Sequence, residues 1–263
     1  MNTDAVPQPI KTFTVDALAV RVHARHEDLA LDAAQMAQQC LQEALCRKGS
    51  ARAILASAAS QVKFIEALVN LAGLDWPRLT LFHMDEYLGI SADHPASFRR
   101  FFQARLVEGV RPGAFHYIQG EALEPLKECE RYARLLQAEP LDLCFLGIGE
   151  NGHLAFNDPP VADFHDPLTI KLVRLDRECR QQQVGEGSFP TLEAVPPYAF
   201  TLTIPALCSA QRVIGVVPEK RKARPVRDAL TGPITTACPA SFLRTQPQAT
   251  LFLDADSASL LPA

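Results

Sequence analysis

The sequence predicts an α/β fold, Rossmann-like, with a mostly parallel sheet and helices on both faces. Three observations carry that expectation. Short apolar runs rich in Leu, Ile, Val and Phe alternate along the chain with stretches whose apolar residues recur at helical spacing. Strands that alternate with helices of this length pair in parallel through βα crossovers, which bury both faces of the sheet. The two segments richest in polar and acidic residues each follow one of the apolar runs, where ligands bind in open α/β sheets. No internal repeat or low-complexity linker interrupts the 263 residues, so the reading is a single domain over 1–263.

The elements follow in order. Asp28 to Arg47 has helical periodicity and stops at Lys48-Gly49. Ala51 to Ala56 reads as a strand and Gln61 to Leu71 as the helix after it. Leu79 to Met84 is a strand that delivers Asp85-Glu86 at its end, and Ser97 to Leu106 is a basic amphipathic helix. Leu123 to Ala138 is a helix entered through Glu124-Pro125, since proline is tolerated in a first turn. Leu141 to Leu146 is a buried strand, and Leu175 to Gln183 a helix. Gly185 to Pro197 is an irregular excursion. Phe200 to Ile204 and Arg212 to Val217 read as strands, Lys220 to Leu230 as a helix with Pro225 near its start, and Thr250 to Leu253 as a late strand.

Composition narrows the function. A formal charge of −4, with no basic stripe carrying interleaved aromatics, argues against nucleic acid. No apolar run approaches the roughly 18 residues of a membrane helix, and Met1 to Ile10 lacks a signal-peptide pattern. The expectation is a cytoplasmic, soluble protein. Seven scattered cysteines, at 40, 46, 129, 144, 179, 208 and 238, contain no C-x-x-C pair. They read as buried reduced thiols rather than as disulfides or a zinc site.

The densest chemistry follows the Leu141–Leu146 strand, in Gly147-Ile148-Gly149-Glu150-Asn151-Gly152-His153-Leu154-Ala155-Phe156-Asn157-Asp158-Pro159-Pro160. Gly147, Gly149 and Gly152 spell the dinucleotide fingerprint, which requires a helix to open at the third glycine. Asp158-Pro159-Pro160 forbids that helix, so the segment is a loop presenting His153 above a strand end. Asp158 is placed to orient or activate the imidazole, and Asn151 to hydrogen-bond the ring or a ligand. Asp85, at the mouth of an apolar strand, suits proton abstraction from carbon beside a carbonyl, because desolvation raises a carboxylate's basicity. Asp85 and the His153 loop then share one site. A metal held by His153, Asp158 and Asp85 is disfavoured, because no second histidine stands at ligand spacing.

Met84-Asp85-Glu86-Tyr87-Leu88-Gly89 together with the histidine loop resembles the glucosamine-6-phosphate deaminases, in a superfamily that also contains 6-phosphogluconolactonases. The similarity runs from about Asp28 to Leu253. Lactonases typically read G-P-D-G-H-T-A-S at the histidine, and that is not what stands here. The resemblance implies conversion of an amino sugar 6-phosphate to a ketose 6-phosphate and ammonia, with no metal or organic cofactor. It implies that Asp85 moves a proton between C1 and C2, that His153 opens the ring, and that Asp158 pairs with the histidine. Asn151 stands where a carboxylate is common in the family. Lys222 matches a phosphate-contacting lysine, and Ser57, Ala58, Ala59 and Ser60 align with a glycine-rich phosphate loop. Glu86 and Gly152 join the substrate-binding set, and Arg180 is the nearest candidate for a family arginine whose expected position falls at Gly185. Without glycines, Ala58 and Ala59 are expected to reach φ > 0 only at a cost of around 1 kcal/mol or more each. The resemblance also suggests a homo-oligomer. A sugar-lactone hydrolase and a non-catalytic sugar-phosphate-binding protein remain alternatives.

Overall fold

A computed structural model describes residues 6–262. The chain opens with an antiparallel hairpin, β1 (Lys11–Val15) and β2 (Leu18–His23), turned at Asp16 with φ 52°. Helix α1 (His26–Lys48) has Glu27 and Asp28 in its first turn and Arg47 and Lys48 in its last, matching the helix dipole. It ends at Gly49, left-handed with φ 82°, whose N–H returns to the Leu45 carbonyl. Then come β3 (Ala51–Leu55), a 3₁₀ turn over Ala59–Gln61, α2 (Val62–Asn70), β4 (Leu79–His83) and β5 (Asp85–Tyr87). α3 (Phe98–Phe102) runs through a π-helical turn over Gln103–Val107 into α4 (Glu108–Val110). β6 (Ala114–His116), α5 (Pro125–Gln137), β7 (Leu143–Leu146), β8 (Ile170–Arg174) and α6 (Arg177–Gly185) follow. The chain closes with β9 (Tyr198–Leu202), α7 (Ile204–Cys208), β10 (Arg212–Val217), a 3₁₀ turn over Lys220–Lys222, α8 (Ala223–Thr231) and β11 (Ala249–Asp254).

The main sheet has the order β1-β2-β11-β10-β7-β3-β4-β6. All its pairings are parallel except β1 with β2, so the expected parallel sheet is the observed one. Helices α1 and α2 bury Leu29, Leu41, Phe64 and Leu68 on one face, with Phe145, Ile214 and Phe252. Helices α5 and α8 bury Tyr132, Leu136 and Val226 on the other, with Ile54, Cys144 and Val213. From β3 the chain builds outward through β4 and β6, then returns to place β7 on the other side of β3 and continues through β10 and β11. The connections after β3 and β7 therefore diverge, leaving a crevice at the carboxyl ends of those strands.

A second sheet, β5-β9-β8, is antiparallel throughout. This corrects the sequence expectation for Phe200–Ile204. The strand is Tyr198–Leu202, it lies outside the parallel sheet, and Thr203 ends it by capping α7 through the Ala206 N–H. It also corrects the picture of Asp85 as the tail of β4. Asp85 opens a new strand in register with Thr201, and the Leu202 N–H holds the Met84 carbonyl at the bend. The cysteines are all free; four are buried, Cys40 and Cys238 half-buried and Cys46 exposed. No helix among the described residues is long and apolar enough to cross a membrane.

Candidate active site

The crevice between the ends of β3 and β7 holds two adjoining chambers of about 60 and 140 Å³. Both are lined by Ser57, Ala58, Asp85, His153, Ala155 and Gln182. The smaller adds Ser60, Gln61, Gly147, Gly149 and Lys222; the wider adds Ala59, Ser97, Phe98, Phe101, Phe156 and Glu186. A more capacious groove, about 540 Å³, lies among Leu136–Leu141, Asp166–Thr169 and Pro205–Ser209, but it contains none of these groups. Convergent chemistry, not volume, marks the site.

The histidine loop is built on its glycines and amides. Gly149 N–H donates to the His153 carbonyl at 2.9 Å, and Gly152 N–H returns to the Gly149 carbonyl at 3.0 Å. Gly152 has φ +84°, and a Cβ there would meet Cys238 Sγ at 2.9 Å. Gly149 is needed for a different reason: a Cβ would stand 2.1–2.3 Å from ring atoms of His153. The imidazole packs directly on the glycine backbone. Beyond it Ala155 lines both chambers with φ 51°, a strained value for a residue with a Cβ. Asn157 anchors the exit by donating to the Leu154 and Leu202 carbonyls.

Asp158 lies beside the histidine, with Nδ1 of His153 2.9 Å from its Oδ1. That separation lets Asp158 orient the ring. The directed hydrogen bond to the same oxygen comes from the Asn151 amide at 2.9 Å, whose own carbonyl accepts the His153 N–H. Burial pushes the Asp158 carboxyl up, but the proton and charge of His153 and the Asn151 amide outweigh it and hold it below the usual range. The Cys179 thiol completes a buried group, its ligand atom within 4.8 Å of those of His153 and Asp158. Burial raises that thiol well above its ordinary value. Cys179 thus stands where the sequence considered Asp85 as a third metal ligand.

Asp85 faces both chambers and is 7% exposed, with Oδ1 buried and without a hydrogen-bond partner. Burial and then the adjacent Glu86 charge push its carboxyl well above the usual carboxylate range. Lys222 enters the smaller chamber from the 3₁₀ turn ahead of α8 and is 3% exposed. Among the described residues no carboxylate lies within ion-pair distance of it, because Glu150, Glu186 and Glu219 are bound to the neighbouring Arg221. Burial pushes the Lys222 ammonium down. Ser57 Oγ is buried without a partner, and Ser60 Oγ accepts from Gln61, which also ties the loop to the Val216 carbonyl at 2.9 Å.

The structure thus brings Asp85, His153, Ser57, Ala58, Ala59, Ser60 and Lys222 to the cavity, with Asp158 and Asn151 beside His153, and places the other expected residues away from its lining. Ala58 is ordinary extended backbone (φ −165°, ψ 163°), and neither it nor Ala59 has positive φ, so the expected strain is absent. Arg180 turns away from the cavity to bond the Leu192 and Val195 carbonyls. Glu86 lines neither chamber; it is bound to Ser97 and Arg99. Gly152 and Asn151 shape the loop without lining the cavity. Among the lining residues that sequence reading missed is Gln182, the amide that lines both chambers. Its carbonyl accepts the Glu150 N–H at 3.0 Å and its amide donates to Glu186 at 2.9 Å, joining α6 to the histidine loop. Nothing in the run Gln181-Gln182-Gln183 singles it out; only the packing of α6 does.

Comparisons with known proteins show what the chain is similar to. The family model for glucosamine-6-phosphate isomerases/6-phosphogluconolactonase matches residues 24–166. A glucosamine-6-phosphate deaminase of Exiguobacterium sibiricum is 35% identical over 188 residues, 72% of this chain and 73% of that protein. Another, from an Exiguobacterium sp., is 33% identical over 230 residues, 88% of each. A monomeric glucosamine-6-phosphate deaminase of solved structure superimposes with a TM-score of 0.85 at 30% identity, covering 92% of this chain and 99% of that one. A 6-phosphogluconolactonase from Thermotoga maritima, at 20% identity and TM-score 0.73, shares the fold. The chain belongs to the glucosamine-6-phosphate isomerase/6-phosphogluconolactonase family.

Proposed function

We propose that this protein is an amino-sugar-phosphate deaminase and aldose–ketose isomerase, converting an amino sugar 6-phosphate and water to a ketose 6-phosphate and ammonia. The observation that carries the reading is Asp85, a buried carboxylate with an unpartnered oxygen, facing the same cavity as His153 and Lys222. The deaminase names of the relatives at 33–35% identity support it. Lys222, the Ser57 and Ser60 hydroxyls and the start of α2 take the phosphate, as charge and dipole favour. His153, backed by Asp158, accepts the C1 hydroxyl proton and returns one to the ring oxygen, opening the sugar. Asp85 then removes the C2 proton from the open-chain 2-amino aldehyde and delivers one to C1. The resulting C2 imine adds water and expels ammonia. A base for such a C–H bond works best with its basicity raised toward the operating pH, which burial of Asp85 provides.

Turnover of glucosamine and galactosamine 6-phosphates, followed by ammonia release, tests the reading against hydrolysis of a phosphogluconolactone, which releases none. Asp85→Asn is expected to cost about 10² to 10⁴-fold in kcat while leaving ligand binding largely intact. Its effect on stability has the opposite sign. A carboxyl whose folded pKa lies above its unfolded one destabilises the fold increasingly as pH rises from the unfolded value to the folded one. The Asn variant escapes that penalty and is expected to melt higher than the parent at neutral pH. Unchanged turnover in Asp85→Asn would remove this residue from the mechanism.

A further inference from the structure

A carboxylate removed from water must be hydrogen-bonded or neutralised. Glu86 is 0% exposed and is surrounded by donors. Oε1 accepts the N–H groups of Tyr87 at 3.1 Å and Phe98 at 3.3 Å. Oε2 accepts the Ser97 hydroxyl at 2.8 Å, the Arg99 N–H at 3.2 Å and Arg99 Nε at 3.3 Å. Residues 97–99 open α3, whose Ser97 does not cap its own helix. Glu86 satisfies the first-turn N–H groups instead, from another element. Ser97, Phe98 and Phe101 line the wider chamber together with Asp85, so the element that Glu86 clamps is a wall of the site.

The same carboxylate is the chain neighbour of Asp85. The titratable groups around Asp85 are His153 and Lys222 on the smaller chamber, Glu186 on the wider one, and Glu86 itself. Buried Tyr87, Tyr132 and Cys179, which also feel Asp85, are held neutral by desolvation. Around Glu86 the facing cation is Arg99, which also reaches Glu121 at 3.5 Å and the Ile90 carbonyl at 2.6 Å.

We propose that Glu86 is a positioning residue for the proton transfer: it locks the first turn of α3 against β5 and, held ionised by these five donors, keeps a negative charge one residue along the chain from Asp85. The role rests on the reading of Asp85 as the base. Glu86 touches no substrate; it acts on where the wall stands and on how strongly Asp85 holds a proton.

The test is Glu86→Gln, which keeps the shape and removes the charge. Its kcat is expected to fall on the order of 10²-fold, the cost of a misplaced wall. The acid limb of its pH–rate profile is expected to move to lower pH, because loss of a like charge lets Asp85 ionise more easily. Titration of Asp85 by NMR in protein carrying ¹³C-labelled aspartate, with Asp85→Asn to assign the resonance, reads the same shift without substrate. Failure of the functional reading, in which the parent releases no ammonia, is thereby distinguished from failure of this one. An Asp85 midpoint that coincides with the parent's in Glu86→Gln overturns the proposal, whatever happens to kcat. Glu86→Asp keeps the charge but withdraws the carboxylate by one methylene, so kcat is expected to fall with the midpoint unmoved. If Glu86→Gln does not fold, this variant decides: an unchanged kcat overturns the proposal.

Discussion

The two loops that face each other across the cavity solve opposite problems. The loop after β3, Ser57-Ala58-Ala59-Ser60-Gln61, has no glycine and no positive φ, and offers hydroxyls, a helix start and the nearby Lys222. The loop after β7 contains three glycines within six residues, Gly147 to Gly152, and a strained Ala155. Glycine is needed where a side chain must lie on the backbone, as His153 lies on Gly149. It is dispensable where hydroxyls and an ammonium can reach the ligand themselves.

The largest effect is expected in the histidine loop. Gly149→Ala puts a Cβ 2.1–2.3 Å from the imidazole, which has to leave its place over the cavity. The φ of Gly149 is not positive, so the damage comes from collision, not from backbone strain. A loss on the order of 10²-fold in kcat is expected, with destabilisation of about 1–3 kcal/mol from overpacking. Steady-state kinetics and thermal melting read the two effects separately. Near-parental kcat would mean that the imidazole need not sit on the glycine, and the contrast between the loops would collapse.

An intermediate effect belongs to the phosphate side. Lys222→Met removes the cation and keeps the chain length. Hydrogen bonds to charged groups contribute about 1.5–3 kcal/mol, so KM for a sugar phosphate is expected to rise roughly 10- to 100-fold with a smaller change in kcat. Stability moves the other way. An ammonium whose folded pKa is depressed penalises the fold at every pH below that value, and the penalty fades as pH rises toward the unfolded one. Lys222→Met is therefore expected to melt higher than the parent at neutral pH. A KM that stays at the parental value would move the phosphate away from this chamber.

How much of this was legible depends on the range of the interaction. The parallel strands are apolar because both their faces are covered, so β3, β4, β7, β10 and β11 are visible as runs. Asp85, His153 and Asp158 are visible because unusual residue types cluster beside those runs. The small sheet was not visible, since Asp85-Glu86-Tyr87 is three residues long and finds its partner at Ala199–Thr201. Glu86 looked like a site residue for the same reason as Asp85. Only the fold turns its side chain toward Ser97 and Arg99, because successive residues of a strand point to opposite faces. Arg180 and Gln182 are two residues apart on α6, and which one faces the cavity is fixed by the docking of that helix. The hairpin β1-β2 escaped because β1 is a partly exposed edge with weak apolar patterning.

The smallest expected effect is the most direct test of what the phosphate-side loop needs. Ala58→Gly restores a glycine to it. If glycine served to let the backbone adopt a left-handed turn toward the anion, the substitution would relieve strain and tighten binding. Ala58, however, sits at φ −165° and ψ 163°, which any residue adopts freely, so there is no strain to relieve. Only the added freedom of the unfolded chain remains, a cost of about 0.4–1 kcal/mol in stability. KM is expected to stay within about twofold of the parent, since no contact to the ligand is gained and about 1.4 kcal/mol is required for each factor of ten. A marked fall in KM would mean that the loop rearranges when phosphate binds, and that alanine resists the change. The glycine-free loop would then be a brake on binding, and the contrast with the histidine loop one of degree. An unchanged KM makes it one of kind: a loop that meets its ligand with side chains needs no glycine to bring its backbone close.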